Sequence, residues 1–330
     1  MKVLITGSNG LLGHHVIQEL LKHHYEVRII VRSKLNIFFD LTLVEMVEGN
    51  FADYQTLKNA AENCDAIIHI AAVTSTDLLN YEDYRKINVE ASSQLIKVAE
   101  ELKINTIVFI STANTIGYGN EQEPADERSI LKYPFSKSYY AQSKVEAEKL
   151  FLDSSKKPNR HIIIINPTFI LGAFDPKPSS GRLMLFCFRK RILFIPKGGK
   201  NFVAAKDVAV AACNALKEGK NGERYLTSGV NLSFKEYYNL QKVVGSYKQF
   251  IFELPDFLLS IVGKIGDLVR LLGIKTELCS MNLNQLKIRE YYSNQKTKRD
   301  LNFTETDLKI TIKEAIDWFK ENNMINHLVQ

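Results

Sequence analysis

Cysteines and long apolar runs are scarce in this 330-residue sequence, and each scarcity argues against a class of site. The cysteines are scattered, with no CxxC pair and no other metal-like spacing, which argues against a cysteine-based metal site. They are expected to be reduced core thiols of a cytoplasmic protein. The four positions are Cys64, Cys187, Cys213 and Cys279.

The most apolar internal stretch, residues 254–274, is interrupted by three charges and falls short of a membrane span. The favoured interpretation is an amphipathic helix that covers a pocket, and contact with a membrane interface is the second option. The interrupting residues are Lys264, Asp267 and Arg270.

No run of one charge sign is present either. The net charge is +6, but basic residues alternate with acids, and the densest basic cluster, residues 188–192, is a single turn. No nucleic-acid partner is therefore expected.

The sequence opens with "MKVLITG", too short an apolar run for a secretory signal, which leaves a cytoplasmic location as the expectation. The paired histidines 14–15 and 23–24 point in different directions, so no metal site is expected.

The first half alternates short, nearly all-apolar runs with longer helical patterns, which predicts an α/β fold with a doubly wound parallel sheet. A parallel sheet of this kind is covered by helices on both faces. The predicted strands are 2–6, 26–31, 43–48, 65–72, 105–111 and 161–166, and the predicted helices are about 10–24, 54–63, 80–102 and 136–155.

The alternation ends at "NPTFILGAFDPKPSSG" (166–181), which is rich in proline and glycine. We predict a nucleotide-binding domain of residues 1–170 with 198–228, and a smaller, mainly helical substrate domain of 171–197 with 229–330. The aromatic residues of the second domain could line a pocket, but packing is favoured for most of them. They are Phe186, Phe188, Phe194 and Phe202.

The first candidate site is "ITGSNGLLG" (5–13), directly after the first predicted strand. Gly7, Gly10 and Gly13 allow a tight turn, a close approach to a pyrophosphate and close packing of helix on strand. The free N–H groups of the following helix then face the phosphate. The second strand is followed by Arg32, with no acid to accept a ribose hydroxyl, which favours NADP over NAD.

The second candidate site follows the fifth predicted strand, where Ser111 and Thr112 carry hydroxyls at the edge where such sheets bind ligands. Tyr140 and Lys144 then share one face of the next helix. Only this Tyr-x-x-x-Lys pair follows a hydroxyl-bearing strand end. The other four pairs are Tyr54/Lys58, Tyr133/Lys137, Tyr238/Lys242 and Tyr292/Lys296.

Taken in order, "TGSNGLLG" (6–13), "DAIIHIAA" (65–72), "INVEAS" (87–92), "STANTIGYG" (111–119) and "YAQSK" (140–144) resemble the extended short-chain dehydrogenases/reductases, including the NAD-dependent epimerase/dehydratase relatives. The ending "NPT" (166–168) is similar to that of dihydroflavonol and cinnamoyl-CoA reductases. The resemblance covers nearly the whole chain and implies a Rossmann fold.

The resemblance also implies roles for individual residues. Tyr140 matches the catalytic acid/base, Lys144 the lysine that binds the ribose and lowers the tyrosine pKa, and Thr112 the group that polarises the substrate oxygen. A nearby ammonium would indeed favour a tyrosinate. The implied cofactor contacts are Gly7, Asn9, Gly10, Leu11, Leu12, Gly13, Arg32, Ala71, Ala72, Asn88, Tyr140, Lys144 and Pro167.

Two functions follow as hypotheses. The first is an NADP-dependent oxidoreductase that reduces a ketone or aldehyde, with NAD as the other possible cofactor. The second is a sugar-nucleotide epimerase or dehydratase, in which Arg182, Arg189 and Arg191 could meet a diphosphate. The expected partners are a small-molecule carbonyl, alcohol or sugar-nucleotide substrate and, as an option, a second copy of the chain in a homodimer.

Overall fold

The computed structural model describes residues 1–325 and has a seven-stranded sheet as its centre. The strands are β1 (Lys2–Thr6), β2 (Glu26–Val31), β3 (Glu45–Glu48), β4 (Ala66–His69), β5 (Thr106–Ile110), β6 (His161–Pro167), β7 (Phe169–Leu171), β8 (Ile192–Ile195), β9 (Gly199–Ala204), β10 (Arg224–Thr227), β11 (Val230–Ser233), β12 (Phe250–Glu253) and β13 (Arg289–Glu290). The large sheet has the order β10-β6-β5-β4-β1-β2-β3, with every pair parallel.

The helices lie on both faces of this sheet or in the second half of the chain. They are α1 (Leu11–Lys22), α2 (Tyr54–Ala61), α3 (Tyr81–Arg85), α4 (Ala91–Glu101), α5 (Tyr139–Ser155), α6 (Gly181–Cys187), α7 (Ala205–Glu218), α8 (Phe234–Val244), α9 (Asp256–Leu271), α10 (Ser280–Gln285), α11 (Gln295–Leu301) and α12 (Leu308–Glu321). A π-helical segment, Lys86–Glu90, joins α3 to α4.

The predicted doubly wound fold is confirmed, because successive residues of β1 enter different cores. Val3 and Ile5 pack in one core with residues of α1 and α7, while Leu4 packs in the other with residues of α2, α4 and α5. An all-apolar strand can be stable only when both of its faces are covered. Strand order reverses beside β1, with β2 on one side and β4 on the other, and this is where such folds bind ligands.

The stretch 198–228 contributes to two different sheets. Within 198–228, α7 packs on α1 and β10 joins the edge of the large sheet, but β9 pairs with β7, β11 and β13 in a separate four-stranded sheet. Both edges of β9 are occupied there, by β11 on one side and by β7 and β13 on the other, so it cannot also pair with the large sheet. The division into two domains itself stays a prediction.

Two of the aromatic residues expected to pack do so, and two do not. Phe188 and Phe202 are buried, whereas Phe186 and Phe194 are exposed. All four cysteines are buried and unpaired, as predicted. Among the helices of residues 1–325, none is long and apolar enough to cross a membrane.

Candidate active site

The glycine-rich turn after β1 is built so that two of its glycines cannot carry a side chain. Gly7 has a φ of +76°, and a Cβ there would lie 2.7 Å from the backbone nitrogen of Ala71. A Cβ on Gly13 would lie 2.2 Å from the carbonyl oxygen of Gly7. These contacts bring the ends of β1 and β4 and the first turn of α1 together at the point of strand-order reversal.

The donors at this turn fit a pyrophosphate. Gly10 is the N-cap of α1 and provides no side-chain cap, so the first N–H groups of the helix remain available. The buried hydroxyl of Ser8 has no hydrogen-bond partner, and neither has that of Ser111 at the end of β5. Open helix donors, two buried hydroxyls without a partner and a tight glycine turn fit the pyrophosphate of a dinucleotide.

The turn is connected to the rest of the site by buried hydrogen bonds. Thr6 Oγ1 lies 2.7 Å from His69 Nδ1, and His69 Nε2 lies 3.1 Å from Ser92 Oγ. Burial lowers the pKa of His69 to about 3, so its ring is neutral and serves as the satisfied core histidine that is expected of a buried strand.

Asn88 lies in the π-helical segment, which turns its side chain inward. Its Oδ1 accepts from the backbone nitrogen of Val73, and its Nδ2 donates to Val73 O and to Ser143 Oγ. Both polar atoms of Asn88 are thus used to fasten the loop after β4 to α5, next to Lys144. Its predicted contact with the cofactor stays a prediction.

Tyr140 and Thr112 are brought together as the sequence predicted. A side-chain hydrogen bond joins the two, and it acts to lower the pKa of Tyr140. Burial is the larger effect and raises that pKa to about 12. At neutral pH the phenol is therefore protonated and can act as a hydrogen-bond and proton donor.

Lys144 lies one turn further along α5 and is 2% exposed. Its Nζ donates to Ile110 O at 2.8 Å and lies 4.1 Å from the centroid of the Phe109 ring. Burial lowers the pKa of Lys144 to about 7, against a raising effect of Glu148. The predicted lowering of the Tyr140 pKa is not what this arrangement shows, because the ammonium is directed at the end of β5 and burial dominates the phenol.

A carboxylate that the sequence reasoning missed lies behind these residues. Glu148 is 4% exposed, and its Oε1 accepts from Thr115 Oγ1 at 2.7 Å and from Asn166 Nδ2 at 2.6 Å. Asn166 Nδ2 also lies 3.1 Å from the carbonyl oxygen of Thr112. The network holds the backbone that carries Thr112. The sequence could have indicated Glu148 only by its spacing, because Tyr140, Lys144 and Glu148 follow one another at four-residue intervals on α5.

The other Tyr-x-x-x-Lys pairs lie elsewhere and have other contacts. Tyr54 and Lys58 both contact Glu101, at 2.5 and 2.9 Å. Tyr133 is half-exposed in the loop before α5, and the hydroxyl of Tyr133 accepts from Asn284. The two remaining tyrosines, Tyr238 and Tyr292, are buried in other hydrophobic clusters.

The remaining predicted residues lie at the carboxyl ends of the strands or close by. Arg32 is exposed directly after β2, Ala71 and Ala72 are half-buried after β4, and Pro167 is buried at the end of β6. In the glycine-rich turn, Asn9 is half-buried, while Leu11 and Leu12 are buried at the start of α1. Arg182, a candidate diphosphate ligand, is engaged in an ion pair with Glu277 at 2.8 Å.

The segment formed by α9 and α10, here called the roof, is tied to two loops near Tyr140 and Lys144, the loop after β4 and the loop before α5. On one side Arg270 donates to Leu78 O at 2.6 Å and Asn282 donates to Thr76 O at 3.2 Å. On the other side Asn284 donates to the hydroxyl of Tyr133. The roof therefore bridges the loop after β4 and the loop before α5.

The model of the NAD dependent epimerase/dehydratase family matches residues 3–227. Similar proteins include a dihydroflavonol 4-reductase-like protein of Synechocystis sp., 24% identical over 97% of this chain and 95% of that protein. Another is the 4-hydroxy-2-methyl-3-oxo-4-farnesyl-3,4-dihydroquinoline-1-oxide ketoreductase of Stigmatella aurantiaca, 28% identical over 77% of this chain and 76% of that protein. The crystal structure of gox2253 superposes with a TM-score of 0.84 and 26% identity, covering 98% of this chain and 99% of that one.

Proposed function

The chain belongs to the NAD-dependent epimerase/dehydratase family of extended short-chain dehydrogenases/reductases, and from this premise we propose that it is an NADP-dependent oxidoreductase that reduces a ketone or aldehyde to an alcohol. That it is an NAD(P)-binding oxidoreductase follows from the family. The preference for NADP and the reductive direction are the proposal.

The observation that carries the proposal is the contact of Tyr140 with Thr112 at the carboxyl end of β5. The hydroxyl of Tyr140 is hydrogen-bonded to Thr112 and has a pKa raised to about 12 by burial, so it is a proton donor at neutral pH. Reduction of a carbonyl needs such a donor beside the oxygen. Because an epimerase of this family also reduces a keto intermediate, the reductive direction is proposed from the relatives whose names specify reductases.

The chain's own groups then divide the work. Tyr140 and Thr112 hydrogen-bond the carbonyl oxygen, and Tyr140 transfers its proton to that oxygen as negative charge develops there. Lys144 and Asn88 hold the edge of the site against β5 and the loop after β4. The glycine-rich turn holds the pyrophosphate. When bound, the reduced nicotinamide supplies the hydride.

The substrate class is proposed from the relatives. The name of the Stigmatella protein specifies reduction of a ketone that bears a farnesyl group, and the Synechocystis protein is dihydroflavonol 4-reductase-like. We propose by analogy that the carbonyl belongs to a largely apolar molecule.

The test is a panel of ketones, aldehydes and sugar nucleotides. We expect NADPH to be oxidised in equal amount to the carbonyl reduced, with apolar ketones turning over fastest. Conversion of a sugar nucleotide with tightly retained cofactor and no net oxidation of NADPH would establish the epimerase or dehydratase alternative instead.

Arg32 provides a separate test of the cofactor. In the variant Arg32→Ala, we expect the Kd for NADPH to rise about tenfold or more and the Kd for NADH to stay within about two-fold, because a charge-assisted contact to a phosphate contributes roughly 1.5–3 kcal/mol. Arg128→Ala removes an exposed arginine elsewhere and serves as the matched control. If Arg32→Ala left the ratio of the two affinities at the parent value, another feature would set the preference.

A further inference from the structure

Helix α9 carries its large apolar side chains on the outside of the protein. Ile261, Ile265 and Leu268 are 52%, 58% and 60% exposed, and their three- and four-residue spacing places them on one face. The other exposed apolar residues of this face and its end are Phe257, Leu258, Val262, Leu271 and Leu272. Soluble surfaces rarely carry such a contiguous set without a partner.

The opposite side of α9 is fixed by two glycines. A Cβ on Gly266 would lie 1.7 Å from the carbonyl oxygen of Leu278, and one on Gly263 would lie 2.9 Å from Ser280 Cα. The helix therefore packs against the segment around α10 through its backbone, and its apolar face lies on the outside of the roof. The amphipathic helix expected within residues 254–274 is present, and its covering of a pocket stays a prediction.

A second exposed apolar surface leads directly into this helix. Strands β8 and β12 form a two-stranded sheet whose outer face carries Ile192 opposite Phe250 and Phe194 opposite Phe252, and all four are exposed. Only two residues separate the end of β12 from the start of α9. The two surfaces are thus continuous along the chain, and we call them together the apolar shoulder.

The charges around the apolar shoulder are mostly positive. Residues 186–197 contain four basic residues and no acid, and residues 248–275 contain four basic residues and three acids. One of those acids, Asp267, accepts from the backbone nitrogen of Ser280. The charged residue exposed along the apolar stripe of α9 is Lys264. The other two acids, Glu253 and Asp256, are exposed where β12 leads into α9, so basic residues exceed acids by eight to three in these two stretches. Apolar side chains with such an excess of lysine and arginine complement a membrane interface with anionic head groups.

We propose that the apolar shoulder binds the surface of a lipid bilayer that contains anionic lipids, with α9 lying in the plane of the interface. A second copy of the chain is a poorer occupant, because a symmetric contact would bring the two basic rims together. The roof would then hold the loop after β4 and the loop before α5 next to the bilayer. This binding is independent of the proposed chemistry.

The experiment measures co-sedimentation of the full chain with phosphatidylcholine vesicles, with and without phosphatidylglycerol. The variant Ile261→Ser/Ile265→Ser/Leu268→Ser removes the apolar face. The control of the same composition is Leu43→Ser/Ile130→Ser/Ile310→Ser, which removes one leucine and two isoleucines that are 58%, 85% and 51% exposed elsewhere. Circular dichroism and NADPH binding are measured on both variants to confirm folding.

We expect the parent and the control to bind vesicles with phosphatidylglycerol, more weakly at high salt, and the α9 variant to bind at least about tenfold less. The proposal is wrong if the parent stays in the supernatant, binds both vesicle types equally, or binds no better than the α9 variant. A dimer without lipid that the α9 substitutions convert to a monomer, together with no vesicle binding, would show that a second copy covers the shoulder.

Discussion

Replacing Tyr140 by phenylalanine is expected to lower kcat for carbonyl reduction by about 10²–10⁴-fold, because the variant loses the general acid. The ring remains and fills the same space, so the fold and the affinity for NADPH should stay near the parent values. The hydroxyl is the group that Thr112 contacts and that burial keeps protonated, with a pKa of about 12. Kinetics with a carbonyl substrate and separate titration of NADPH measure the two effects.

The neighbouring residue provides a matched control for Tyr140. Tyr139 is 42% exposed and packs edge-to-face on Tyr81, outside the catalytic pair. Tyr139→Phe should therefore leave kcat within about two-fold of the parent. If Tyr140→Phe turned over as fast as Tyr139→Phe, Tyr140 would not be the general acid.

Replacing Gly13 by alanine is expected to destabilise the chain and to weaken cofactor binding together. Alanine favours a helix over glycine by about 1 kcal/mol. A Cβ on Gly13 would, however, lie 2.2 Å from Gly7 O and 2.8 Å from Ser8 Cα, both backbone atoms that cannot rotate away. Overpacking of this kind costs about 1–3 kcal/mol or more. Since the turn must move, the Kd for NADPH should rise at least about tenfold.

Gly10→Ala is the matched control for stability, because it adds the same methyl group to the same turn. The nearest atom to a Cβ on Gly10 is Gly7 O at 3.6 Å, and the φ of Gly10 is −99°, which any residue can adopt. Alanine is a poorer N-cap than glycine, so the free energy of unfolding of Gly10→Ala should fall by at most about 1 kcal/mol, less than that of Gly13→Ala. If the two variants had equal denaturation midpoints, the close contacts of a Cβ at position 13 would not be what destabilises Gly13→Ala.

The choice of Tyr140 among five Tyr-x-x-x-Lys pairs could be predicted because it depends on local order. A hydroxyl-bearing strand end precedes the helix that carries the pair, and parallel strands bring their carboxyl ends to one edge of the sheet. The network behind the pair could not be predicted in the same way. Asn166 meets Glu148 across 18 residues and the Thr112 carbonyl across 54, and no sequence periodicity reports such a contact.

The sequence by itself determined the alternation of buried strands and helices, the glycine turn after β1 and the face shared by Tyr140 and Lys144. These depend on periodicity and on backbone conformation, which are local properties. Only the tertiary structure decided what surrounds each of these side chains. The apolar stripe of α9 is visible in the sequence, but Gly263 and Gly266 at its packing side turn that stripe outward. Likewise the lysine was identifiable, but burial under Phe109 and Ile110 decided that its pKa falls to about 7.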